Sequence, residues 1–215
     1  LAQIFPKWSN KIPLYFVVAV LLFGLLVIGF FWYYGSPKYT DVGYRPKQPV
    51  SYSHKLHAGD LGMDCRYCHT HVEMAPHANV PSTQTCMNCH TLIGSDSDKL
   101  LPVRESWATG DPIQWIRIHK LPDYAYFDHS AHLNAGVGCE SCHGNVAAME
   151  VVEQKKPLSM SWCLDCHRNP GPHLRSQDEL TKMNWTPPDN QAEIAKRLIK
   201  EKKIVPPLEC SGCHR

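Results

Sequence analysis

The ten cysteines of this 215-residue chain fall into five pairs, and each pair is followed by a histidine. Cys65-Arg66-Tyr67-Cys68-His69, Cys86-Met87-Asn88-Cys89-His90, Cys139-Glu140-Ser141-Cys142-His143, Cys163-Leu164-Asp165-Cys166-His167 and Cys210-Ser211-Gly212-Cys213-His214 all spell C-x-x-C-H. Two thiols three positions apart can reach the two vinyl groups of one porphyrin, and the next residue, a histidine, then lies under the iron as its proximal ligand. With His at 13 of 215 positions, five such endings by composition alone would occur on the order of once in a million chains. Structural zinc would pair C-x-x-C units two by two, and five is odd; a disulfide framework has no reason to put His after every second Cys. The expected cofactors are five covalently bound haem c groups.

Subtracting the proximal ligands His69, His90, His143, His167 and His214 leaves His54, His57, His71, His77, His119, His129, His132 and His173. Eight candidates are enough to close the sixth position of five irons, which favours electron transfer over activation of a small molecule, so no catalytic site is expected. Tyr52-x-His54-x-x-His57 and Phe127-x-His129-x-x-His132 carry two histidines three apart, able to serve two irons from one helical turn. His54, His57, His129 and His132 are therefore assigned as distal ligands. His119, in the apolar run Trp115-Ile116-Arg117-Ile118-His119 before Leu121-Pro122-Asp123, is the choice for the fifth. His71, His77 and His173 are weaker alternatives, and Met149 or Met160 could supply a thioether, which would raise one haem's potential.

These residues must be held by short elements. The motifs begin at 65, 86, 139, 163 and 210, a short-long-short-long rhythm that marks two repeat units, 52–90 and 127–167, with the fifth haem at 210–214. With 17 Pro and 13 Gly, the expected fold class is a multihaem cytochrome c: one N-terminal transmembrane helix, then a haem-packed domain of loops and short helices with little or no sheet. The clearest soluble helix is Gln191 to Lys203, with Ala192, Ala195, Leu198 and Ile199 on one face and Asp189 and Asn190 as caps.

From Ile12 to Pro37 no residue is charged, and Leu14 to Tyr34 would span about 32 Å as a helix, enough for a bilayer core. A signal-peptide core would be shorter and would end at small residues, whereas this run ends in the aromatic belt Phe30-Phe31-Trp32-Tyr33-Tyr34. Basic residues flank both sides, so the haems set the orientation, because haem is attached outside the cytoplasm. The expected organisation is a cytoplasmic arm (1–11), a transmembrane helix (12–35), an extended linker (36–50) on the membrane surface or a partner, and a periplasmic pentahaem domain (51–215). The location expected is the bacterial inner membrane, crossed once.

The paired histidines resemble those of the small multihaem cytochromes of the c3 and c7 type, in which the first serves the haem attached just downstream and the second crosses to a neighbour. The segment from Trp115 to Pro170, WIRIHKLPDYAYFDHSAHLNAGVGCESCHGNVAAMEVVEQKKPLSMSWCLDCHRNP, taken with the anchor and the five motifs, resembles the pentahaem subunit of alternative complex III. That bacterial membrane complex oxidises quinol and reduces a periplasmic acceptor. The resemblance implies an electron-transfer subunit whose partners are an iron-sulfur subunit, polytopic quinol-binding membrane subunits, a monohaem cytochrome c and a soluble periplasmic acceptor, with no nucleic acid. Members of that family look as though one haem uses Met, which keeps Met149 and Met160 open.

Two other readings stand beside it. A stand-alone quinol dehydrogenase, like the tetrahaem anchors of nitrate and nitrite respiration, would need a quinol site at its one helix, yet the span offers no carboxylate or His to take protons. A catalytic multihaem reductase would need an open iron with acid/base groups nearby.

Overall fold

The computed structural model describes residues 4–36 and 41–214. Parts of the expected N-terminal arm (1–3) and linker (37–40) lie outside the described residues. The chain divides into two units, 1–41 and 42–215.

In the first unit a short 3-10 turn, Lys7–Lys11, leads into α1, Ile12–Tyr34. Pro13 occupies the first turn, where its missing N–H costs nothing. The helix is apolar on every side and none of its residues is buried, and its length and composition suffice to cross a bilayer.

The second unit is built of short helices and loops, and its described residues contain no strand beyond two isolated bridges, Ala125 with His214 and Val137 with Leu174. Its α-helices are α2 (Cys65–Cys68), α3 (Thr83–His90), α4 (Leu101–Thr109), α5 (His129–Ala135), α6 (Cys139–His143), α7 (Met160–Arg168) and α8 (Gln191–Lys202). Four of the five C-x-x-C-H motifs sit on or at the end of α2, α3, α6 and α7, and the fifth on a 3-10 turn, Cys210–Gly212. One helical turn is what brings thiols at i and i+3 to one side.

Local chemistry explains the helix ends. Asp128 caps α5, its Oδ1 accepting from the N–H groups of Ser130 (2.8 Å) and Ala131 (3.3 Å), and Gly136 closes it at φ +102°. α8 ends at Lys202 with Lys203 in the left-handed region. Asn190 stands at its N-cap without a side-chain cap bond. Its inward face is Ile194, Leu198 and Ile199, packed with Val137 and Leu174, and the buried Ala195, which lies against Gly171, while Ala192 is exposed. The stretch 43–48 is stitched to its own domain: Gly43 N–H donates to the Gln154 carbonyl (2.8 Å), and the Gln48 amide pairs with the Ile116 backbone through two 2.9 Å bonds.

The apolar core is small. Among the described residues ten hydrophobic side chains are buried, with Leu174 and Leu180 the most enclosed. They fall into separate clusters, one of Val72, Leu133 and Leu180, another of Val137, Leu174 and Leu198. A domain of this size normally assembles one contiguous core, so the clusters leave room for another apolar filling between the elements.

Candidate haem-binding site

The two repeats hold their aromatic and imidazole rings in the same arrangement. Tyr52 meets the His54 ring edge-on (4.8 Å, 86°) and stacks on His57 (4.5 Å, 23°). Phe127 meets His129 edge-on (4.8 Å, 88°) and stacks on His132 (4.5 Å, 29°). The backbones beneath differ: α5 is α-helical, whereas Lys55–Asp60 is a π turn. Gly59 packs there so tightly that a Cβ would lie 2.3 Å from the Ala147 carbonyl oxygen. Both imidazoles of each repeat still keep the same relation to the aromatic ring before them.

Seven histidines have one nitrogen fixed by a backbone carbonyl. Among the motif histidines, Nδ1 of His69 donates to Asn79 O (2.6 Å), of His90 to Ile93 O (2.7 Å), of His167 to Pro207 O (2.8 Å) and of His214 to Tyr124 O (3.0 Å). Among the others, His57 donates to Ser53 O (2.8 Å), His129 to Pro76 O (2.7 Å) and His132 to Asp128 O (2.7 Å). A carbonyl only accepts, so each Nδ1 carries the proton and each Nε2 keeps its lone pair. That is the orientation and tautomer a metal-ligating imidazole needs.

The rings then pair. His57 faces His90 with centroids 6.2 Å apart, His129 faces His143 at 6.3 Å, and His132 faces His167 at 6.1 Å. Two imidazole nitrogens each about 2 Å from a transition metal put the ring centroids roughly 6.3 Å apart. In this chain the first member of each pair comes from an aromatic-x-His-x-x-His segment and the second from a C-x-x-C-H motif. For His54 the neighbouring motif histidine is His69.

Burial favours the neutral form of six of the histidines. It pushes His143 down to about 3, with His119, His129, His69 and His54 adding to the effect, and His54 down to about 4. His119, His129, His132 and His173 are lowered for the same reason first. A neutral imidazole is the form that ligates.

His119 lies edge-on to His143 at 4.4 Å, too close for a metal between them, and its Nε2 is buried without a hydrogen-bond partner. The ring recorded beside His214 is that of Tyr124, at 5.7 Å. Of the methionines, Met149 is buried (8 % exposed) close to Gly144, and Met160 stands out at the start of α7 (59 % exposed). His173 sits on the turn Gly171–His173 near Lys156 and Arg175, and the His71 carbonyl closes the turn after the first motif.

No two of the ten cysteines form a disulfide. Among the described residues no three His, Cys, Asp or Glu side chains converge as a zinc site would require. The residues fit haem: a thiol pair one turn long, a histidine next to it, and a second imidazole opposite.

Residues 131–215, which hold the last three motifs, match the cytochrome c3 family. The fold class is that of a multihaem c3-like cytochrome. Covalently bound haem c is the cofactor that family implies. The chain is also 29 % identical over 176 residues to the multihaem cytochrome c subunit of menaquinone reductase from Nitratidesulfovibrio vulgaris (strain Hildenborough), covering 71 % of this chain and 78 % of that protein.

Sequence reasoning missed Arg175, which is 3 % exposed behind the third motif. Its guanidinium stacks on Trp185 (4.6 Å) and donates to the carbonyls of Glu179 (3.2 Å) and Lys182 (2.9 Å). Gly138, just before Cys139, is the only residue type that fits against it, since a Cβ there would overlap the guanidinium. The signal available in sequence was that glycine, and it does not name its neighbour.

Proposed function

We propose that this chain is the electron-transfer subunit of a membrane-bound quinone oxidoreductase and relays electrons through five c-type haems. The haems are held by the ten motif cysteines and by His69, His90, His143, His167 and His214. The distal ligands are His54, His57, His129 and His132, and the fifth comes from among His119, His71, His77, His173, Met149 and Met160. The observation that carries the reading is the set of three facing imidazole pairs at 6.1–6.3 Å, five of the six rings having Nδ1 tied to a backbone carbonyl. An iron with both axial positions filled exchanges electrons and does not bind substrate.

α1 anchors the chain in the bacterial inner membrane, with the haem domain on the periplasmic side where haem attachment occurs. The partners are those of an alternative-complex-III-like assembly: an iron-sulfur subunit, polytopic quinone-binding membrane subunits and a monohaem cytochrome c passing electrons to a soluble periplasmic acceptor. The similarity to a menaquinone reductase subunit favours a second reading, in which the same wire runs towards menaquinone. Purification in mild detergent, followed by identification of the bound subunits and assays of the complex with menaquinol and with a reduced periplasmic donor, separates the two. A chain that purifies without polytopic or iron-sulfur partners would contradict both.

A further inference from the structure

The order in which the five sites touch is not their order in the chain. Numbering the sites by motif from Cys65 to Cys213, and resting on the ligand reading proposed above, we infer that they form one unbranched line, 2–1–3–4–5, with site 2 at one end and site 5 at the other.

Within each repeat the link is the shared histidine segment. His54 and His57 bind sites 1 and 2 from one turn, and Asn88 of the second motif donates to the Tyr67 hydroxyl of the first (3.2 Å). His129 and His132 do the same for sites 3 and 4 from α5, and Cys142 lies close enough to Cys163 and Cys166 to interact electrostatically.

The joint between the repeats connects site 1, not site 2, to site 3. Asp64, the cap of α2, accepts from Thr181 Oγ1 (3.0 Å), and the preceding residue, Leu180, accepts from the Cys139 N–H (3.0 Å). The two-residue segment Leu180–Thr181 thus clasps the first and third motifs together. The Cys65 and Cys139 side chains are close neighbours. Pro76, in the loop after the first motif, holds both the backbone N–H (3.2 Å) and the ring Nδ1 of His129. His143 has both His69 and His54 of site 1 as electrostatic neighbours.

Site 5 joins site 4. His167 donates to Pro207, three residues before Cys210, and Cys163 neighbours Cys213. Exposure fits the same line: Cys89 and Cys210, at the two ends, are the exposed cysteines, and the other eight are partly buried. Electrons would enter and leave at these two ends, and sites 1, 3 and 4 would carry them between.

The test uses the full chain with its haems and reads neighbours magnetically. An oxidised low-spin iron is paramagnetic and perturbs the resonance of the next iron, whereas a reduced one is diamagnetic. His57→Met raises the potential of site 2, so a redox poise exists at which that site is reduced in the variant and oxidised in the unaltered chain; His132→Met does so for site 4. In electron paramagnetic resonance the inferred order predicts that one of the four remaining signals changes in His57→Met and two change in His132→Met. Two altered signals in His57→Met would make site 2 interior and overturn the order while leaving the ligand reading intact. If neither variant moves any redox component, the ligand reading falls and the order falls with it.

Discussion

The imidazoles of His129 and His143 lie parallel to within 5°, with centroids 6.3 Å apart, although the two residues belong to different helices, α5 and α6. Gly136 and Val137 make the turn that sets this opposition, the N–H of Val137 bonding back to the His132 carbonyl (2.9 Å). A ring pair held this way has space for one metal and little else.

Replacing His129 by Met should therefore keep the iron six-coordinate and raise the potential of one of five components, because thioether favours the reduced iron relative to imidazole. Replacing it by Ala should give a high-spin signal from one haem. A redox titration with optical and resonance readouts checks both, and five unchanged components in both variants would remove His129 from the ligand set.

Gly136→Ala should destabilise the haem domain by about 2 kcal/mol or more, because φ is +102° and a Cβ would stand 2.7 Å from the Arg175 carbonyl oxygen. Chemical denaturation followed by haem absorbance measures it. An unchanged midpoint would mean that the turn between α5 and α6 yields more easily than the backbone contact implies.

The clasp between the first and third motifs should be sensitive to acid. Hydrogen bonds from Arg66, with others from Thr181 and the Arg66 backbone, hold Asp64 down at about 2 against an ordinary 3.8. A depressed carboxylate pKa contributes stability that is complete above the unfolded value and disappears as pH falls from about 4 through about 2. Asp64 is well exposed, so the effect is small. Asp64→Asn should narrow the difference in thermal midpoint between pH 5 and pH 2, and an equal difference in both proteins would show that the clasp does not titrate there.

The isolated chain should not oxidise quinol. α1 offers no carboxylate or histidine to accept a proton and no second helix to complete a cleft. Quinol-dependent haem reduction by the purified chain at the rate of the whole complex would favour the stand-alone dehydrogenase.

The class of cofactor was legible because C-x-x-C-H is a local pattern, and the aromatic residue two positions before each His pair keeps the same relation to its rings in both repeats. The class of fold was legible for the same reason: haem motifs one turn long and frequent Pro and Gly leave short helices and loops. α4 was not, since Leu101–Thr109 shows little apolar periodicity and holds to its neighbour α3 through contacts such as Thr83 with Ser106 (2.6 Å). Nor was the π turn at Lys55–Asp60, where Gly59 meets a carbonyl 88 positions away. The bond from Thr181 to Asp64 crosses 117 residues. Such contacts are properties of the folded chain, and no window of sequence contains them.

The central claim is that every C-x-x-C-H motif of this chain holds a haem. Intact-mass measurement of the denatured chain, purified from its native membrane and paired with haem staining and iron analysis, tests it most directly. The account predicts a chain heavier by five haem equivalents with five irons per native molecule. Four or fewer haems on an intact chain would contradict it.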